Sequence, residues 1–163
     1  MMVVTDTSVI LNLCFLKQES LLISLFEKVI APEQVVREFQ RLVSVDSRFH
    51  GLVFPSFVQR ETPSEALPDL AHSARLHAGE NAVLALALEQ RAEAVLMDER
   101  AGRAAASALG LKTVGLLGIL IRARQRDLVP AIAPLLDRLH NEARFWISSS
   151  LRDAMLRAAG EGD

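Results

Sequence analysis

Apolar positions along the chain switch between short uninterrupted runs and stripes spaced three and four apart, and that alternation lays out an α/β protein. Met2 to Thr5 forms a run of strand type, and Ser8 through Leu16 continues as a helix with Thr7 or Ser8 as its cap. A second helix is expected from about Ser20 to Glu27, followed by the apolar run Val29-Ile30-Ala31. Pro32 fits the first position of a third helix, along which Val35, Val36, Phe39, Leu42 and Val43 keep helical spacing. Leu52-Val53-Phe54 is the next strand candidate, and Pro55, Pro63 and Pro68 then mark an irregular stretch to about Ala71. From Asn81 to Glu89 the residues are apolar all round, which predicts a helix buried on most sides. Ala94 to Met97 is read as a strand, Arg100 to Leu109 as a helix stopped by Gly110, and Leu111 to Val114 as another strand. Helices are expected over Gly115 to Arg126, where Gly115 and Gly118 leave room for close backbone approach, and from Pro130. Ser150 with Asp153 suggests a capping box for a last helix, Leu151 to Ala159.

Strands alternating with helices in this order predict a three-layer α/β/α sandwich around a parallel sheet of four or five strands. At 163 residues the expectation is a single domain over 1–163, with C-terminal helices from about 130 and no internal repeat. A net charge of −2 exerts no global pull on a polyanion, so nucleic-acid binding would need local patches or bound cations. One cysteine, Cys14, excludes an internal disulfide and a Cys-rich zinc framework, and it lies in an apolar run where a buried, inert thiol is expected. The first residues lack the basic start of a secretory signal, and no apolar run is long enough to span a membrane. A cytoplasmic protein is the resulting expectation.

In open α/β sheets, sites form beyond the carboxyl ends of the strands where strand order reverses. Asp6 and Asp98 each directly follow a predicted strand. If those strands are neighbours, two carboxylates approach each other, and at an effective dielectric near 20 charges ~4 Å apart repel by ~4 kcal/mol. A cation relieves that repulsion; alternatively each acid only caps the helix that follows. Glu38 flanks the apolar stripe of the third helix, where the alternative is a surface pair with Arg37 or Arg41. Glu80 begins the most apolar helix, a position that favours an acid in any case.

Four segments, taken together and in order, resemble a PIN domain. They are Val3-Val4-Thr5-Asp6-Thr7-Ser8, Pro32 through Phe39, Gly79-Glu80-Asn81-Ala82 and Met97-Asp98-Glu99-Arg100-Ala101-Gly102-Arg103. The closest similarity is to a prokaryotic branch related to VapC-type toxins, whose Val-Gly-x-x-Gly helix start is matched by Val114-Gly115-Leu116-Leu117-Gly118. The resemblance covers about Val3 to Leu128 and is weaker beyond. It implies that Asp6, Glu38, Glu80 and Asp98 are catalytic acids that ligate one or two Mg²⁺ or Mn²⁺ ions, with Ser8 supporting Asp6 by a hydrogen bond. Oxygen ligands of this kind suit hard divalent cations. The implied activity is metal-dependent endoribonuclease hydrolysis of RNA, with water activated on the metal, and the implied setting is the toxin of a toxin–antitoxin pair. A catalytically silent PIN-fold module that binds RNA or a protein is the alternative.

Two positions depart from that branch. Glu99 stands where relatives often carry a second Asp, and it is either a supporting acid or a solvent-facing one. Asp127 replaces a helix-ending Gly, a structural exchange because Asp tolerates the left-handed conformation. Arg103 and Arg100 are the expected RNA contacts, whereas Arg122, Arg124 and Arg126 could equally be a solvated helix face. His77 is expected in a loop before the helix rather than as a ligand, and His50, His72 and His140 fit no zinc spacing. Trp146, Ile147, Leu151 and Met155 exceed what a small domain must expose unless they pack onto the outer helices, and the resemblance implies a homodimer and an antitoxin segment over the acidic pocket.

Overall fold

The computed structural model describes residues 1–65, 67 and 76–162. Its sheet consists of β1 (Met2–Thr5), β2 (Lys28–Pro32), β3 (Gln59–Glu61), β4 (Ala94–Leu96) and β5 (Thr113–Val114), all parallel, in the order β3-β2-β1-β4-β5. Among the described residues the helices are α1 (Thr7–Phe15), α2 (Leu21–Leu25), α3 (Glu33–Val45), α4 (Ala78–Glu89), α5 (Arg100–Ala108), α6 (Leu116–Gln125), α7 (Ala133–Asn141) and α8 (Ser149–Ala158). Helix α4 packs along β1, β2 and β4, while α1 and α2 pack on α6. Helices thus cover both faces, the three-layer arrangement that the alternation predicts.

Burial on both faces explains the composition of the central strands. Val3, Val4, Ile30, Val95 and Leu96 are fully buried, as expected where crossover helices leave no solvent-facing side. Helix α4 is apolar all round for the same reason, with Val83, Leu84, Leu86 and Ala87 inaccessible to solvent. The chain steps outward from β1 through β2 to β3 on one side of the sheet and from β4 to β5 on the other. The reversal therefore falls between β1 and β4, whose register pairs Thr5 with Leu96. Asp6 and Asp98 emerge from that crevice.

Several boundaries differ from the sequence expectations. Leu52-Val53-Phe54 is not a strand: Val53 is 79% exposed and Phe54 turns back to meet Phe39 edge-to-face. The strand at that sheet edge is the polar Gln59-Arg60-Glu61, which short, charged edge strands permit and an apolar-run criterion misses. Pro32 ends β2 in an extended conformation, so α3 begins at Glu33. Helix α7 begins at Ala133, with Pro134 rather than Pro130 in its first turn. The last helix is capped by Ser148, whose hydroxyl accepts from Leu151 N, and not by a Ser150–Asp153 box. Ile147 and Met155 belong to the core, which leaves only Trp146 and Leu151 exposed among the residues expected at a dimer face. Asp127 does adopt the left-handed conformation, with φ 56°. The proline-rich stretch lies in part outside the described residues, as does His72.

Candidate functional site

Asp6 is both the end of β1 and the cap of α1. Its backbone is extended, its amide donates to Leu96 O of β4 at 2.8 Å, and its Oδ1 accepts from Thr7 N at 2.7 Å. The cap is therefore Asp6, not Thr7 or Ser8, because the strand runs straight into the helix with no linking residue. Thr7 uses its hydroxyl to donate to Glu38 Oε2 at 3.1 Å, which ties α3 to the same crevice. Glu38 accordingly turns toward the sheet end, and no ion pair with Arg37 or Arg41 forms among the described residues.

Glu80 is buried in the first turn of α4. His77 caps that helix: Nδ1 accepts from Glu80 N at 3.4 Å, and Nε2 meets Glu80 Oε1 at 2.5 Å. Glu80 Oε2 is left without a hydrogen-bond partner. Gly102 of α5 makes room for it, since a methyl group there would stand 3.0 Å from Glu80 Oε2 and collide with Met97 Sδ. His77 is thus part of the acidic centre, although it precedes the helix as expected; its spacing of three from Glu80 was the available signal.

Asp98 lies one residue beyond the end level with Asp6. Oδ1 accepts from Leu116 N, the start of α6, at 2.9 Å, and Oδ2 has no partner. Gly115 allows this approach, because a Cβ would lie 2.8 Å from Asp98 Oδ1 and 2.9 Å from Arg103 Nη1. The small residue therefore makes space for a carboxylate and a guanidinium rather than for a second backbone. Ser8 acts on Asp98, holding its carboxyl down, instead of bonding to Asp6. Glu99 is exposed and adds negative charge near Glu80 and Asp98. Arg100 and Arg103 are exposed on α5, with Arg103 beside Asp98.

The electrostatics follow from this burial. Desolvation pushes Asp6 up to about 6; the Thr7 amide and His77 oppose the rise, while Glu80 and Glu38 add to it. Glu80 is also raised, first by burial and then by Glu99 and Glu38, with His77 pulling the other way. Burial raises Asp98, against the Leu116 amide, Arg103 and Ser8. A cleft of about 280 Å³ opens onto Asp6, Glu38, His77 and Glu99, and it is walled by Arg144 and Phe145 from the segment after α7. Arg48 anchors that segment by donating to Ala143 O at 2.6 Å while pairing with Asp46.

A family model described as a PIN domain matches residues 2–161. The chain belongs to the PIN-domain family. PIN domains are in general nucleases that typically use divalent metal ions. No curated protein matches the chain. No helix among the described residues is long and apolar enough to cross a membrane.

Whether the side chains suit a metal ion can be judged from their donors. Among the described residues no three His, Cys, Asp or Glu side chains stand together as a ready-made ligand group. The PIN domain does present hard oxygen donors, two of them buried and orphaned, around an aspartate whose ionisation is opposed by its neighbours. Such donors suit a hard divalent cation.

Proposed function

We propose that this PIN domain is a metal-dependent endoribonuclease, using Mg²⁺ or Mn²⁺ to hydrolyse phosphodiester bonds of single-stranded RNA, and that it is the toxin of a toxin–antitoxin pair. The observation that carries the reading is the pair of buried carboxylate oxygens, Glu80 Oε2 and Asp98 Oδ2, that lack any donor at the sheet end shared with Asp6. A buried polar atom without a partner costs about 1–3 kcal/mol, so it is retained where something else satisfies it.

Asp6, Glu80 and Asp98 would hold the cation, with Glu38 completing the acidic wall. A bound divalent ion supplies Lewis-acid polarisation of water and neutralises charge on the phosphate. The chain's own groups set the geometry. Thr7 fixes Asp6 through its amide and Glu38 through its hydroxyl. His77 occupies one oxygen of Glu80 and leaves the other without a partner, and Leu116 N does the same for Asp98. Arg103, which lowers Asp98 from nearby, would meet a phosphate of the bound strand.

An antitoxin would act through the same physics. A basic side chain entering the cleft relieves the repulsion among Asp6, Glu38 and Glu80 as a metal ion does, and so excludes metal without altering the fold. The test is cleavage of a labelled single-stranded RNA with Mg²⁺ or Mn²⁺, with chelator, and with Asp6→Asn. Metal-dependent cleavage that Asp6→Asn abolishes supports the reading. RNA bound but never cut, under any divalent ion, would assign the protein instead to binding without catalysis.

A further inference from the structure

Beside the acidic cleft lies a second cavity of about 450 Å³, with Asp98 on one wall and Phe145 shared between the two. Its floor is apolar, from Val114, Leu117 and Gly118. Two arginines, Arg103 and Arg122, line it together with Trp146. Trp146 is 77% exposed although it is the largest apolar side chain of the protein, and among the described residues it stacks on no other aromatic ring. The segment that carries it is held firmly: Ile147 is buried and its amide donates to His140 Nδ1 at 3.1 Å, while Ala143 O accepts from Arg48. A flat aromatic face is therefore presented from a fixed backbone, next to two cations and next to the carboxylate expected to hold metal.

We infer that this cavity is a nucleotide subsite, in which one unpaired base of single-stranded RNA stacks on Trp146 while Arg103 and Arg122 take the flanking phosphates. The inference rests on the nuclease reading and adds where the strand lies: it passes from Arg122 over Phe145 into the acidic cleft. Charge favours this occupant over a second copy of the chain, because two guanidiniums line the pocket against the single carboxylate of Asp98 and a phosphodiester complements both. Stacking needs an unpaired base, which selects single strands over duplex. In a chain of net charge −2 the attraction for RNA has to be local, and Arg103 and Arg122 supply it at this mouth.

Trp146 is the only tryptophan and the chain has no tyrosine, so its emission reports the subsite alone. The experiment titrates the whole protein, with Ca²⁺ as the cation, against a short 2′-O-methyl single-stranded RNA and its abasic counterpart. The base-bearing strand is expected to quench Trp146 and the abasic strand to leave it unchanged. Trp146→Ala should weaken binding about tenfold and Trp146→Phe should restore most of it. Arg122→Ala should lower the slope of log affinity against log salt by about 0.7, the signature of one lost phosphate contact. Equal affinity of Trp146→Ala and the parent protein overturns the subsite even if RNA is still cut. Emission that shifts with protein concentration, without RNA and with no response to it, also overturns it by assigning the surface to self-association. Loss of binding in Trp146→Ala, in a protein that cleaves nothing, would keep the subsite and refute the nuclease reading.

Discussion

Asp6 and Asp98 end neighbouring parallel strands, and burial pushes both carboxyls up, yet their surroundings differ. Around Asp98 the protein supplies an amide from Leu116, the guanidinium of Arg103 and the Ser8 hydroxyl, with one acid, Glu99, opposing them. Around Asp6 it supplies the Thr7 amide and His77, but also two further acids, Glu80 and Glu38. The Asp98 half is better compensated from within, whereas the Asp6 half gathers more negative charge. On the proposed reading, the asymmetry makes Asp6 the carboxylate that gains most from an added cation.

The sharpest way to break this contrast is Asp6→Asn. Cleavage should fall about 100-fold or more, as expected when a group holding metal is lost, while the metal-free protein becomes more stable. The gap between 3.8 and about 6 for the Asp6 carboxyl corresponds to at most about 3 kcal/mol at pH 7. The sign is that of a raised carboxylate: the penalty is absent below the unfolded value, grows as pH rises through the window from 3.8 to about 6, and is complete above it. Thermal unfolding of the metal-free parent should therefore weaken across that window and that of Asp6→Asn should stay flatter. A parent curve that strengthens there would contradict the electrostatic account.

Metal addition should produce an effect nearly as large. With Mg²⁺ at about 100 times its dissociation constant, the parent gains about 2.7 kcal/mol at a pH above 6, and Asp6→Asn gains much less. Affinity measured by calorimetry should fall as pH drops through about 6, because protons then compete for Asp6. An affinity independent of pH would move the cation away from this half.

Gly102→Ala tests the space on the Glu80 side. The added methyl group collides with Met97 Sδ, so a loss of about 1–3 kcal/mol is expected in chemical denaturation, with weakened metal binding as Glu80 is displaced. The smallest change should come from Asp98→Asn in the metal-free protein. Its amide oxygen still accepts from Leu116 N, and removal of the charge leaves Arg103 without its partner, so the stability gain should be below about 1 kcal/mol. A gain equal to that of Asp6→Asn would erase the distinction between the halves.

Much of the frame was legible from the residues. The strand-to-helix junctions at Asp6 and Asp98 lie within windows of about ten residues, where apolar run length and the following helical pattern are sufficient. Helix α4 declared itself by being apolar all round. Strand β3 did not, because an edge strand of Gln59-Arg60-Glu61 carries no apolar alternation and owes its place to pairing with β2. The dimer expectation treated Ile147 and Met155 as surplus apolar surface, and packing against the rest of the fold absorbed both.

By itself the sequence determined the α/β order, since period, capping and spacing act between near neighbours, and its motifs carried the resemblance to the PIN-domain family. Tertiary structure alone decided how each acid is treated. The amide that holds Asp98 comes from Leu116, the hydroxyl on Glu38 from Thr7, and the wall of the cleft from a segment tied to Arg48 across 95 residues of chain. Desolvation and charge compensation depend on distance in space, and no local window of sequence records which groups the fold will bring together.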